Sequence, residues 1–391
     1  MGLRAGRGWC VIPPVFATYV HNLDPVIVSL GKLALRWYGL AYLMGFVAGF
    51  LLLRNLARRG MWVLAPEKTA DFIAAAALLG VFLGGRVGYI LFYHIPREGF
   101  ASLLADPLLV VRVWEGGMAS HGGILGLVIL TWFYSRKHRV SWTGLGDGLC
   151  VVAPVGLFFG RMANFINGEL YGRVGQGVAW AMKFPTALAD PKAPECLRLE
   201  QAAAAAADVE PSLVPAYQAL ETVRLRMDMG MGSIESGYEY ASGRMFGELL
   251  EANRNSGAVS EAIAPYLEPR HPSQLYEAGL EGLALFGILW WVRVRFPNAP
   301  HGTLTGLFFG CYALFRIFAE QFREPDAAWV IEGVLTKGQF LSLFMLIFAA
   351  GFLGYAWLGR KKARNPGAGK PLHADAFGKS VGNDKSEHGS R

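Results

Sequence analysis

The stretch Leu149–Arg173, "LCVVAPVGLFFGRMANFINGELYGR", decides the fold. It opens on an apolar run, Leu149–Phe159, that suits a lipid interior. Gly160–Arg173 then gathers two arginines, two asparagines, a glutamate and three glycines. Such a segment implies a chain that spans a bilayer and builds hydrogen-bonding chemistry where the span ends. Composition agrees. Of 391 residues, 53% are hydrophobic and only 17% charged, whereas a soluble domain carries roughly a quarter charged residues.

Six further apolar segments extend the pattern along the chain. With 145–164 they are 36–54, 70–93, 119–134, 273–292, 302–322 and 338–359, each near the length needed for a hydrocarbon core of about 30 Å. Helices are expected, because an open sheet leaves backbone groups unsatisfied in lipid. Glycines four apart, in "GFVAG" (45–49), "GVFLG" (80–84), "GGILG" (122–126), "GLFFG" (156–160) and 302–310, favour close helix packing, which needs no site to explain it. The fold class is therefore all-α, a polytopic membrane bundle of about seven transmembrane helices.

Charge orients that bundle. Arg54, Arg58, Arg59 and Lys68, then Arg136, Lys137 and Arg139, then Arg293 and Arg295, then Arg360, Lys361, Lys362 and Arg364 mark alternate connections. By the positive-inside rule these are cytoplasmic, with the N-terminus outside and the C-terminus inside. Arg4, Arg7, Lys32 and Arg36 before the first span weaken the alternation without reversing it. The net charge of +7 is thus topological and argues against nucleic acid as a partner.

The expected organisation is an outer N-terminal segment 1–35, spans one to four with their signature loop over 36–173, a polar outer insertion 174–270, spans five to seven over 271–360, and a disordered cytoplasmic tail 361–391. The insertion reads as two or three short helices, with "EQAAAAAADVE" a surface helix. Cys10, Cys150, Cys196 and Cys311 form no C-x-x-C pair, so neither a zinc site nor a disulfide framework is expected. The N-terminus lacks the long apolar region and cleavage box of a signal peptide.

Charges inside a membrane are costly and usually paired or functional. In "CYALFRIFAEQFREPD" (311–326), Tyr312, Arg316, Glu320 and Arg323 form one polar stripe on an apolar helix. An internal Arg316–Glu320 pair is the plainer account of part of it. Arg161, Asn164 and Asn167 share a face where the fourth span ends, followed by Gly168, Glu169 and Gly172. Snorkelling accounts for Arg161 alone, not for its polar neighbours. His121 begins the third span, Arg86 lies in the second, and Tyr38 in the first. "RHPSQLYE" (270–277) leads into the fifth span, with Pro272 suited to a first helical position and Ser273 and Gln274 to bonding the helix start. Arginine binds phosphate through a two-pronged fork. Several arginines and a histidine at headgroup depth, without a metal-ligand set or P-loop, indicate an anionic-lipid site.

At these residues the chain resembles the prolipoprotein diacylglyceryl transferases. "LRWYGLAYLMGF" (35–46), "FLGGRVGYILFY" (82–93), "VWEGGMASHGGILG" (113–126), "GRMANFINGELYGR" (160–173), "HPSQLYEAGLEG" (271–282) and "FRIFAEQFREPD" (315–326) occur in family order. The resemblance implies a bacterial plasma-membrane enzyme with seven spans and a site facing the outer leaflet. It implies transfer of the diacylglyceryl group of phosphatidylglycerol to the lipobox cysteine of a preprolipoprotein, releasing glycerol 1-phosphate, with no cofactor or metal. Arg161 and Arg316 would bind the lipid phosphate. Asn164, Glu169 and Gly172 match signature positions, Tyr312, Glu320 and Arg323 match the sixth span, Tyr38 a further site position, and His121 the histidine discussed as base. Arg86 joins them as a candidate substrate contact. The chain departs from the family in its longer insertion, in Tyr171 where Trp is frequent, and in its N-terminal dozen residues. A phospholipid transporter or flippase is the alternative, but no internal repeat of the kind such proteins use is found.

Overall fold

The computed structural model describes residues 18–30, 33–112, 116–229, 235–324, 331 and 336–364. The expected N-terminal extension, residues 113–115 and 325–326 of the quoted motifs, and the tail from 365 lie outside the described residues.

A short antiparallel hairpin, β1 (Val26–Leu30) and β2 (Leu33–Arg36), runs directly into α1 (Trp37–Arg58). The bundle continues with α2 (Pro66–Glu98), α3 (Ser120–His138) and α4 (Trp142–Asn167). All seven apolar segments of the sequence are helical over most of their length. Among the described residues five helices, α1, α2, α4 and the later α9 (Ser273–Arg295) and α11 (Lys337–Arg364), have the length and apolar character to cross a membrane. The other two fall short for different reasons. α3 ends on Arg136, Lys137 and His138. α10 (Thr303–Ala319) has 17 residues, about 26 Å of helix.

α4 is the central element, packed against α1, α9 and α10. Ser141 starts it, accepting the Gly144 amide at 3.1 Å, and Gly168 ends it at φ 67°, a left-handed turn that glycine adopts without a Cβ clash. α2 and α3 touch backbone to backbone. A Cβ on Gly88 would lie 2.4 Å from Gly122 Cα, and one on Gly126 2.3 Å from the Gly80 carbonyl. Outward-facing Leu78, Leu79, Phe82, Phe344, Ile347 and Phe348 are exposed, an apolar surface far beyond what water tolerates and natural against lipid.

The insertion has a core of its own. Among the described residues its α-helices are α5 (Leu199–Val209), α6 (Val214–Asp228), α7 (Glu235–Asn255) and α8 (Gly257–Ile263), four rather than two or three. The alanine run is not a surface helix either: Ala202, Ala203 and Ala206 are fully buried against Leu220, Met245, Leu249 and Ile263. Alanine there lets neighbouring helices approach closely, so the run is core by reason of its size. Isolated bridges Val174–Arg270 and Met182–Arg270 bring the two ends of this unit together, and Val20–Lys183 ties it to the N-terminal segment.

Candidate active site

The site is built where α4, α9 and α10 meet. Between its polar start and its basic last turn, α9 is apolar except at Glu277 and Glu281, both with 0% side-chain exposure. The turn Ala278–Ala284 is wound with wide π-helical spacing, a distortion frequent at functional sites. Both carboxylates thereby face α4 and α10. Glu277 lies 3.0 Å from Arg161, 2.5 Å from Arg316 and 2.9 Å from Arg323. Glu281 lies 3.3 Å from Arg161 and 3.7 Å from Arg316. Arg316 also meets Glu320 at 3.0 Å, and Glu320 accepts the Thr336 hydroxyl at 3.0 Å.

The polar stripe of the sixth segment is therefore one wall of a cluster in which, among the described residues, three guanidinium groups face three carboxylates. The Arg316–Glu320 pair exists, but within a larger network. Arg161 and Arg316 keep 17% and 14% side-chain exposure while Glu277 and Glu281 have none, so the arginines form the accessible rim. Tyr312, one turn before Arg316, stacks on Phe308 at 5.8 Å and lies in the field of Arg161, Arg316 and Glu281.

The signature loop forms a second cluster. Asn164 donates to Tyr38 and, at 2.8 Å, to Glu169, and Tyr38 donates to the same Glu169 carboxylate. Ser273 and Gln274 donate to the carbonyls of Leu170 at 3.0 Å and Glu169 at 2.7 Å. They fasten the loop rather than the start of their own helix, and Pro272 caps that helix from outside. The Gly172 amide bonds the His271 carbonyl at 2.8 Å, and the Arg173 amide the Phe322 carbonyl at 2.9 Å. A Cβ on Gly172 would stand 2.3 Å from the Phe322 carbonyl and 2.6 Å from that of His271, so the junction admits only glycine.

Behind this loop Arg270 is 1% exposed and grips Glu195 through two bonds of 2.8 and 2.7 Å. It also reaches the Gly172 carbonyl at 3.2 Å and lies over the Tyr171 ring. Burial opposes ionisation of both partners, but their mutual bonds outweigh it, raising Arg270 and holding Glu195 below the usual carboxylate range. Burial, with a hydrogen bond to Asp190, drives the Tyr171 phenol upward, so it remains a neutral donor.

Two expected members stand apart. Arg86 spends its guanidinium on the carbonyls of Leu109, Val110, Gly116 and Gly117. It fastens the segment between α2 and α3 and does not join the other arginines. His121 is exposed at the start of α3 and has no hydrogen bond or ion pair among the described residues. Convergence thus involves Arg161, Arg316 and Arg323, not every arginine singled out by sequence. Sequence reasoning passed over Glu277, Glu281, Glu195 and the buried role of Arg270. A readable signal did exist for the first two: carboxylates four apart on an otherwise apolar helix.

An apolar cavity of about 320 Å³ lies between α1 and α4, lined by Tyr38, Gly45, Gly49, Val152, Gly156 and Gly160 among others. Tyr38 belongs to both the cavity and the signature-loop cluster, and the walls are glycine, aliphatic and aromatic surface.

A helical membrane protein with a polar, arginine-rimmed site and an apolar cavity lined by Tyr38 is the class that fold and site define. The family model described as prolipoprotein diacylglyceryl transferase matches residues 25–355. The chain belongs to that family. It is similar to the phosphatidylglycerol–prolipoprotein diacylglyceryl transferases of Sodalis glossinidius, 39% identical over 87% of this chain and 94% of the relative, and of Neisseria gonorrhoeae strain FA 1090, 36% identical over 88% and 98%. That of Rhodospirillum rubrum is 36% identical over 85% and 92%.

Proposed function

We propose that this transferase moves the diacylglyceryl group of phosphatidylglycerol to the lipobox cysteine of a preprolipoprotein, the first step of lipoprotein maturation. The observation that carries the reading is the arginine rim over Glu277 in a chain of this family. The thiol sulfur attacks the glycerol carbon that bears the phosphate ester. A C–S bond forms, the C–O bond breaks, and glycerol 1-phosphate leaves with the electron pair. Arg161 and Arg316 bind the phosphate and offset the charge that grows on it. One acyl chain enters the cavity beside Tyr38, while Asn164 and Glu169 hold the Tyr38 hydroxyl at its mouth. Glu320, Arg323 and Gly172 brace the arginines and the loop.

A thiol near pKa 8.5 must lose its proton to attack. His121 receives it in this scheme, from its exposed position on α3. His121→Gln is expected to lower kcat by about 100-fold or more with expression intact; near-normal turnover removes His121 from the base role. The reading also carries seven crossings, with the cluster at the outer leaflet and the basic ends of α1, α3, α9 and α11 in the cytoplasm. In support, Arg58, Arg136, Lys137, Arg293 and Arg295 all close helices.

The decisive test mixes purified protein with phosphatidylglycerol and a lipobox peptide and follows the peptide mass. Gain of a diacylglyceryl group on the cysteine is expected. An unmodified peptide, with lipid crossing vesicle membranes instead, would mark a transporter.

A further inference from the structure

α9 carries charge at both ends. Glu277 and Glu281 stand near its start, and Arg293 and Arg295 close its last turn, about 24 Å further along the axis. At that far end a second cavity, of about 1290 Å³, lies between the connection that follows α1, the last turns of α9 and α11 and the first turns of α4 and α10. Arg293, Arg295, Arg360 and His301 line it, with Tyr355 and Trp357 beside them, and no carboxylate is among its lining residues.

Arg293 is under-compensated. It is 5% exposed, donates to the Pro297 carbonyl at 3.1 Å, and its Nε has no hydrogen-bond partner. Its counter-ion Asp147 lies 3.7 Å away. The Asp147 oxygens are already engaged by the Gly302 amide, the Thr305 amide and the Thr305 hydroxyl, each at 2.8 Å. A buried guanidinium with one distant, shared carboxylate is costly, and two more arginines stand at the same cavity. Arginine forks suit phosphate oxygens. Basic pockets between transmembrane helices near the membrane surface bind anionic headgroups. Tyr355 and Trp357, 60% and 55% exposed, are the aromatic types that settle at headgroup level.

We infer that this cavity binds the phosphate group of an anionic phospholipid, in the leaflet opposite the arginine–glutamate cluster and independently of the lipid consumed there. The bound anion supplies the charge that Asp147 shares too thinly and pins the ends of α9 and α11 to the membrane.

The test uses full-length protein in vesicles containing a phosphatidylglycerol analogue with a photoreactive headgroup, with crosslinked peptides mapped after illumination. Crosslinks to the peptides spanning 293–301 and 355–360 are expected. Arg295→Gln with Arg360→Gln, both exposed positions, should reduce them roughly tenfold or more while the far-ultraviolet circular dichroism of the variant stays that of the wild type. Loss of the crosslinks to millimolar inorganic phosphate at constant ionic strength would keep the anion site but make free phosphate its ligand. Wild-type protein without crosslinks at this end, or with equal labelling by a phosphatidylcholine analogue, overturns the inference.

Discussion

Glu277 and Glu281 differ in what they hold, and their substitutions should separate. Glu277 touches three arginines and has no exposure. Glu277→Gln leaves those guanidinium groups buried with too little counter-charge, which costs about 3–5 kcal/mol. Expected is a clear drop in thermal midpoint and loss of transfer by about 100-fold or more. Glu281, equally buried, is held less closely, at 3.3 and 3.7 Å from Arg161 and Arg316. Glu281→Gln gives the rim a net positive charge and should lower KM for phosphatidylglycerol, read from initial rates at varied lipid mole fraction.

His21 provides a pH-dependent residue outside the membrane. It is buried between Phe165 and Phe184, and burial lowers its pKa from 6.5 to about 4. The unfolded chain therefore takes up this proton first. Stability is complete above pH 6.5 and is lost as pH falls toward 4, by about 3 kcal/mol at 1.36 kcal/mol per pKa unit. His21→Phe keeps the stacking and removes the proton. Thermal unfolding scanned over that interval should show a visibly shallower decline for the variant.

Helix pairs show how close packing depends on a few positions. α2 and α3 meet through Gly84 and Gly88 against Gly122 and Gly126, and this contact sets where Arg86 and His121 stand. Gly88→Val places its Cβ against Gly122 Cα and should destabilise the protein by about 1–3 kcal/mol, measured as a lowered midpoint in detergent. Gly39 has no neighbour within 4 Å of where a Cβ would stand, so Gly39→Ala should change stability by less than about 0.5 kcal/mol. α4 teaches a related lesson. Its apolar body and the glycine that stops it were visible in the chain, and its ends agree with that reading to within a few residues, whereas its serine cap emerges only in the structure. The insertion was less visible, because alanine is equally at home on a surface and in a tight helical core.

Across the molecule, polar chemistry is divided between the two ends of one bundle. The arginine–glutamate cluster and the insertion occupy one end, and the basic last turns of α9 and α11 the other. This arrangement predicts opposite accessibility. In a cysteine-free background, Leu197→Cys, whose parent residue is 84% exposed, should react with an impermeant maleimide in intact spheroplasts. Asn298→Cys, in the connection between α9 and α10, should react only after permeabilisation. The reverse labelling would invert the proposed orientation.

Apolar run lengths, basic clustering and small-residue spacing depend on local composition and on the lipid solvent, so the seven helices, their approximate bounds and the class of protein were legible in the chain. The polar residues that matter were largely legible too, since a charge in an apolar helix stands out without any partner in view. Partnership was not. Glu277 meets Arg161 across 116 positions, Arg270 meets Glu195 across 75, and Tyr38 meets Glu169 across 131. Nothing in the local sequence distinguishes Arg86, bonded to nearby carbonyls, from Arg161, bonded to carboxylates on another helix. Charge balance, exposure and convergence arise only when helices pack, because ion pairing falls off over a few ångströms in space whatever the separation along the chain.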